Sequence, residues 1–297
     1  MRILVTGAGG LLGGRLASVL AERFDVVAAF RESPPPEGLH AMRLDLLSGP
    51  TLEAALDRVR PDAVVHAAAM ADPDRCEADP ALAERVNVGG AEVIARWCGA
   101  RDARLVAIST DLVFSGESSF SREEDATSPI LAYGRTKLRA EHAILAACPG
   151  AAVARVTLVG GRGHGPRKTA TEAIASALRE GSSLRLYTDQ FRTPIDDRSV
   201  AEGLVQTLVR GLSGLVHLGG PERLSRFALG QRVARILSLP DSLLVPVSTE
   251  EFPPRAPRPR DASLDSTRAR ERLGWAPRDL DTVIRESRGG GAGATRG

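Results

Sequence analysis

Tyr133 and Lys137 stand four residues apart in the run Tyr133-Gly134-Arg135-Thr136-Lys137. On a helix this spacing puts the phenol and the ammonium on one face, about one turn apart. An ammonium close to a phenol favours the phenolate and lowers its pKa, making the tyrosine an acid/base group usable near neutral pH. The chain has two tyrosines, and one of them occupies this position. Upstream, the apolar run at residues 105–109 reads as a strand that delivers Ser109-Thr110-Asp111 to a sheet edge. Thr110 could then hold a substrate oxygen by hydrogen bond while Tyr133 donates or removes its proton. The YxxxK spacing alone is common by chance on helices, so its weight comes from its neighbours.

The strongest neighbour is the run Thr6-Gly7-Ala8-Gly9-Gly10-Leu11-Leu12-Gly13, which follows a short β-branched strand and opens a helix. Gly7 allows a tight turn, Gly10 lets backbone approach a pyrophosphate, and Gly13 lets helix and strand pack closely. The helix N-terminus that follows offers unpaired N–H groups and positive dipole to phosphates, with Leu11 and Leu12 in the loop also expected at the cofactor. This context points to a dinucleotide cofactor. The second strand ends Ala28-Ala29-Phe30-Arg31 with no carboxylate to bond a ribose 2′-hydroxyl, and Arg31 could instead pair with a 2′-phosphate. NADP (as NADPH) is therefore the expected cofactor, with NAD as the alternative. Asp45, beside Leu46, sits where a third strand would end and could bond the adenine amino group. Ala67, Ala68 and Ala69 give small side chains where a nicotinamide or ribose must approach backbone. His66 lies in an apolar run and reads as a core histidine.

Elements able to position these groups alternate along the first half of the chain. Strands are expected at residues 3–5, 26–30, 63–66, 105–109 and 153–156, and helices at 13–23, 51–60, 80–99 and 133–147. Thr51 is the expected N-cap of its helix, and Pro61 its terminator. Strand and helix alternating in this way imply a parallel sheet with right-handed crossovers and helices on both faces. The expected class is α/β, a Rossmann-type doubly wound parallel sheet with a smaller C-terminal substrate-binding lobe. After Gly160 the rhythm loosens, with helices expected at 170–180 and 200–210 and a strand at 215–218. The cofactor domain is expected at residues 1–160, with 195–218 returning to it. Residues 161–288 form mainly the substrate lobe, and 289–297 a flexible glycine-rich tail.

Composition excludes other classes. The 297 residues carry 39 Lys plus Arg against 37 Asp plus Glu, a net charge of +2, which gives no electrostatic case for binding nucleic acid. No apolar run approaches the ~18 residues that would suggest a membrane span. Cys76, Cys98 and Cys148 have neither disulfide nor zinc spacing and are read as buried thiols. The chain runs from Met1 into the glycine loop without a leader, so a soluble, cytoplasmic protein is expected.

Taken together, these residues resemble the extended short-chain dehydrogenase/reductase superfamily, with Thr110, Tyr133 and Lys137 as its catalytic triad. The run from Ser109 to Gly116 looks like the STDxVFDG segment of dTDP-4-dehydrorhamnose reductases. The stretch His66-Ala67-Ala68-Ala69-Met70, followed by Cys76-Glu77-Ala78-Asp79-Pro80 and Val86-Asn87, resembles another block of that family. So do Asp189-Gln190-Phe191-Arg192-Thr193-Pro194 and the run from Arg258 to Asp265. Two positions depart from the pattern: GLLG stands at residues 10–13 where GQLG is frequent, and Ser115 replaces an aspartate. The GLLG form, Ser121-Arg122-Glu123-Glu124-Asp125 and the ending around Arg258 also resemble the regulatory β subunit of methionine adenosyltransferase. That relative shares the fold, binds NADP and acts on a partner enzyme.

The resemblance implies reduction of a nucleotide-linked 4-keto-6-deoxy sugar by NADPH, with dTDP-4-dehydrorhamnose the leading substrate and no metal. Tyr133 and Lys137 would also touch the cofactor, and Met70, Leu112 and Arg258 the substrate. Arg258 or Arg260 could meet the sugar-nucleotide pyrophosphate. A non-catalytic NADP-binding regulatory subunit and a sugar-nucleotide epimerase are the alternatives, and a homodimer is implied by the resemblance alone.

Overall fold

Ile3, Leu4 and Val5 are all fully buried, so the first strand presents apolar side chains to both faces of its sheet and must lie inside it. The computed structural model describes residues 1–287; the glycine tail expected at 289–297 lies outside the described residues. The first half of the chain contains β1 (Arg2–Thr6), α1 (Leu11–Ala21), β2 (Asp25–Phe30), β3 (His40–Arg43), α2 (Gly49–Val59) and β4 (Ala63–His66). There follow α3 (Pro73–Ala78), α4 (Pro80–Glu84), a π-helical turn (Arg85–Gly89), α5 (Gly90–Arg101), β5 (Arg104–Thr110), α6 (Ala132–Ala147) and β6 (Ala152–Val156). The second half adds β7 (Val159–Gly160), α7 (Ala170–Arg179), β8 (Leu184–Tyr187), β9 (Phe191–Arg192), β10 (Ile195–Asp196), α8 (Asp197–Val209) and β11 (Gly214–Leu218). The last elements are β12 (Leu224–Ser225), α9 (Arg226–Leu237), β13 (Leu244–Val247), α10 (Thr267–Leu273) and α11 (Leu280–Glu286).

Seven strands form one parallel sheet in the order β3-β2-β1-β4-β5-β6-β11, the doubly wound arrangement expected from the alternation. Ile3 and Val5 join a core with Leu16 and Leu20 of α1, Val200 and Leu204 of α8, and Leu273 of α10. Leu4 points the other way, into a core with Leu56 of α2, Ile94 of α5 and Ile144 of α6. Successive side chains of one strand thus fix helices on opposite faces. The strand order reverses between β1 and β4, which opens a crevice at the carboxyl edge where ligands of such sheets bind. A separate core joins Ile174 and Leu178 of α7, Leu186 of β8, Val233 of α9, Leu244 of β13 and Ile284 of α11. These elements build a smaller lobe beside the crevice.

Two of the differences from the sequence reading have a clear local cause. The helix expected to start at Thr51 begins at Gly49, because Pro50 is already set for a first helical turn. Thr51 is inside the helix, where its hydroxyl accepts from Ser48 Oγ at 2.7 Å. The helix expected over residues 80–99 is α4 and α5 separated by the π turn. That turn buries Asn87, whose Nδ2 donates to Met70 O (3.2 Å) and Thr136 Oγ1 (3.0 Å) while its Oδ1 accepts from Met70 N (2.8 Å). One amide thereby ties the loop after β4 to α6.

Candidate active site

The glycine loop has the shape a pyrophosphate requires. Gly7 adopts φ +71°, and a Cβ there would lie 2.7 Å from the backbone of Ala68, so the loops after β1 and β4 touch only because this residue is glycine. Gly10 N donates to Gly7 O at 2.9 Å. A Cβ on Gly13 would lie 2.1 Å from Gly7 O. Helix α1 starts at Leu11 with Gly10 as its cap, no side-chain cap and no acidic residue in its first turn. Its leading N–H groups and positive dipole face the cleft without competition from a carboxylate. The loop therefore fits the phosphates of a dinucleotide.

Every site residue singled out from the sequence apart from Arg260 lines one cleft of about 980 Å³. Leu11 and Leu12 lie beside the glycines. Ala67, Ala68 and Ala69 form the wall across the crevice, where Ala67 N donates to Thr6 O and Ala68 N to Thr6 Oγ1, each at 3.3 Å. Leu46 is buried, and exposed Asp45 accepts from Leu47 N at 3.0 Å through Oδ1. Arg31 is half-exposed at the rim, and its Nη2 lies 2.7 Å from Glu32 Oε1. The strand end lacks a carboxylate, as read from the sequence, but the next residue supplies one and pairs it with Arg31. His66 is buried, with Nδ1 2.8 Å from Thr6 Oγ1, and burial aided by the charge of Lys137 pushes it down to about 3. It is therefore a neutral imidazole.

Thr110, Tyr133 and Lys137 all line this cleft. Thr110 closes β5, and Gly134 lets the first turn of α6 come against the residues that follow, since a Cβ there would lie 2.1 Å from Leu112 O. Thr110 Oγ1 donates to Asp111 Oδ1 (3.0 Å) and accepts from Leu112 N (3.2 Å). Asp111 is buried, accepts from Thr157 Oγ1 at 2.9 Å, and lies 3.4 Å from Arg192 Nε. Burial raises its carboxyl pKa despite the arginine.

The electrostatics correct one expectation. Burial raises the phenol pKa of Tyr133 above its ordinary value, and the charge of Asp111 adds to the rise. Lys137 does not lower it; burial instead brings the ammonium from 10.5 down to about 8, with Glu141 acting in the opposite direction. The site as it stands therefore holds a protonated tyrosine, which is a proton donor. Burial outweighs the one-turn spacing in setting both groups.

Arg192, Arg226 and Arg258 also line the cleft. Arg258 lies within it, held by Asp74 at 3.0 Å, whereas Arg260 does not line it. Sequence reading passed over Arg192 and Arg226. Arg192 lay within the quoted Asp189–Pro194 turn, but nothing in the sequence around Arg226 marked it. The Arg226 guanidinium has no hydrogen-bond partner among the described residues, and burial with the charges of Arg192 and Arg258, opposed by that of Asp111, pushes it down to about 10. Like charges crowd there because the fold brings β9, the start of α9 and the C-terminal segment to one wall. Met70 and Leu112 line the same cleft.

Comparison with known proteins agrees with this geometry. Residues 1–287 match the RmlD substrate binding domain family. The chain is 30% identical over 285 residues to a probable low-salt glycan biosynthesis reductase, Agl14, of Haloferax volcanii, covering 95% of each chain. It is also 30% identical over 295 residues to the methionine adenosyltransferase 2 subunit beta of Mus musculus, covering 96% of this chain and 86% of that one. Among solved structures, a hypothetical dTDP-4-dehydrorhamnose reductase from Sulfolobus tokodaii superposes with a TM-score of 0.84 at 33% identity, covering 95% of this chain and 98% of the other. Two others share the fold at lower identity. A dTDP-4-dehydrorhamnose reductase of Bacillus anthracis in complex with NADP has a TM-score of 0.85 at 22% identity, covering 96% of this chain and 97% of that one. A UDP-glucose 4-epimerase of Thermus thermophilus in complex with NAD has 0.85 at 23%, with the same coverage. With its glycine loop, its Thr-Tyr-Lys cleft and a match running from the first residue to the last described one, the chain belongs to the RmlD substrate binding domain family of extended short-chain dehydrogenases/reductases.

Proposed function

We propose that this protein is an NADPH-dependent reductase of a nucleotide-linked 4-keto-6-deoxy sugar, converting dTDP-4-dehydrorhamnose to dTDP-L-rhamnose. The observation that carries the reading is that Thr110, Tyr133 and Lys137 line the same cleft as the glycine loop and the arginines Arg226 and Arg258. When bound, the dinucleotide supplies the hydride for the sugar C4 carbonyl. Gly7, Gly10 and Gly13 with the N-terminus of α1 hold its phosphates, and Arg31 takes the 2′-phosphate. Thr110 donates to the sugar oxygen, which requires its hydroxyl to turn from Asp111. Tyr133 gives its proton to that oxygen as negative charge develops there. Lys137 holds the ribose and stabilises the phenolate left behind. Arg226 and Arg258 take the sugar-nucleotide diphosphate as charge-assisted donors. In this reading residues 1–160 and 195–218 serve the cofactor and residues 161–288 mainly the sugar nucleotide.

Likeness to methionine adenosyltransferase 2 subunit beta supports a second reading, a regulatory protein of the same fold that binds NADP without turnover. The two separate in one experiment. Protein mixed with NADPH and dTDP-4-dehydro-L-rhamnose is expected to consume the reduced-nicotinamide absorbance, and Tyr133→Phe to abolish this with NADPH binding intact. Absence of turnover by the parent protein with NADPH bound would reject the assigned substrate. A partner enzyme captured equally by both forms would then favour the regulatory reading.

A further inference from the structure

The proposed chemistry assigns no role to one buried charge pair. Glu141 of α6 and Arg155 of β6 have side chains only 2% and 3% exposed. Arg155 Nη2 donates to Glu141 Oε2 at 2.8 Å, and its Nε lies 3.1 and 3.2 Å from the two carboxylate oxygens. Ser109 Oγ donates a short hydrogen bond to Glu141 Oε1. The guanidinium is capped by the Phe114 ring, 5.1 Å away, and its Nη1 lies 3.4 Å from His217 Nε2.

Two features connect this pair to that chemistry. Glu141 follows Lys137 by four residues, so both project from one face of α6 on successive turns. Ser109 immediately precedes Thr110, so the Glu141 carboxylate also grips the strand end carrying the threonine. The other groups around Lys137 offer no compensating charge. Tyr133 on its own helix is a neutral phenol, His66 from β4 is a neutral imidazole, and His217 behind Arg155 is also held neutral by burial. Asp111 acts on Tyr133 and is engaged by Thr110, Thr157 and Arg192. Glu141 opposes the effect of burial on Lys137.

We infer that Glu141 is a positioning residue: from the turn of α6 that follows Lys137 it steadies the lysine and locks the Ser109 strand end to α6, so that Thr110, Tyr133 and Lys137 hold their mutual geometry. Its consequence for turnover rests on the reductase reading, but its test does not. The chain contains only two lysines, Lys137 and Lys168. Protein grown with lysine carrying carbon-13 at Cε gives two side-chain signals, assigned by Lys168→Arg. The Lys137 signal is followed against pH without cofactor or substrate.

In Glu141→Gln the Lys137 midpoint is expected to fall by about one pH unit, a roughly tenfold change in acid constant, with the Lys168 signal as internal control. A merely structural role would loosen the site, admit water and raise the midpoint toward that of a solvated lysine. A rise or no change therefore overturns the inference. Glu141→Gln leaves Arg155 buried without its partner, so the double variant Glu141→Gln/Arg155→Met, in which the pair becomes neutral, serves if the single variant does not fold. There the positive charge leaves with the negative one, so a smaller downward shift is expected, and a rise or no change overturns the inference. A downward shift in a protein that reduces no keto sugar would retain the hold of Glu141 on Lys137 and reject the reductase reading. Turnover with an unmoved midpoint would do the reverse.

Discussion

Replacing Lys137 by methionine should stabilise the protein, because the fold holds a charge there at a cost. Lys137 is 5% exposed, and burial brings it from an ordinary 10.5 to about 8 although Glu141 opposes the drop. Between these values the unfolded chain binds a proton that the folded chain releases, so stability rises with pH across this window. The cost is fully present below about pH 8 and disappears as pH rises through 10.5. A drop of roughly 2.5 pH units at about 1.4 kcal/mol each corresponds to about 3 kcal/mol at pH 7, shrinking to about 2 kcal/mol at pH 9. Methionine has a similar length and no charge, so Lys137→Met should recover most of this while abolishing any turnover. Urea unfolding of both proteins without cofactor, at pH 7 and pH 9, measures the gap. A variant less stable than its parent at pH 7, or a gap that does not narrow by pH 9, would refute the reasoning.

Two more substitutions probe the cleft. Arg31→Ala should weaken NADPH about tenfold, near 1.4 kcal/mol, as expected for loss of a charge-assisted pair at a partly exposed site. NADH should be little affected, and equal loss for both in a fluorescence titration would remove the 2′-phosphate assignment. Arg226→Ala should raise KM for the nucleotide sugar by about tenfold or more through loss of a charged hydrogen bond, leaving the Kd for NADPH unchanged. A change confined to NADPH would place this arginine on the wrong ligand.

The parts of the site legible in sequence were those set by local geometry. The glycine spacing at residues 7–13 and the Tyr133–Lys137 spacing both report a single turn or helix, and the strand-helix alternation that carries them prescribes the parallel sheet. Arg192 and Arg226 were not legible as a site because β9 and α9 meet the C-terminal segment only in the folded lobe. The Glu141–Arg155 pair was hidden for a related reason: residues from α6 and β6 reach each other only through the packing beneath β5. The direction of the Tyr133 shift is not legible in the spacing, because spacing reports proximity, whereas burial decides the cost of charge. Glu32 lies two residues beyond the end of β2, outside the strand end where a ribose-binding carboxylate is expected, and it pairs with Arg31.

Transfer of a label tests the central claim most directly. NADPH carrying deuterium at the transferable nicotinamide C4 position is incubated with the protein and dTDP-4-dehydro-L-rhamnose, and the sugar is examined by mass spectrometry and proton NMR. The account predicts one deuterium at the sugar C4 in the product of the parent protein and none with Tyr133→Phe. An unlabelled, unreduced sugar after incubation with protein shown to hold NADPH would contradict it.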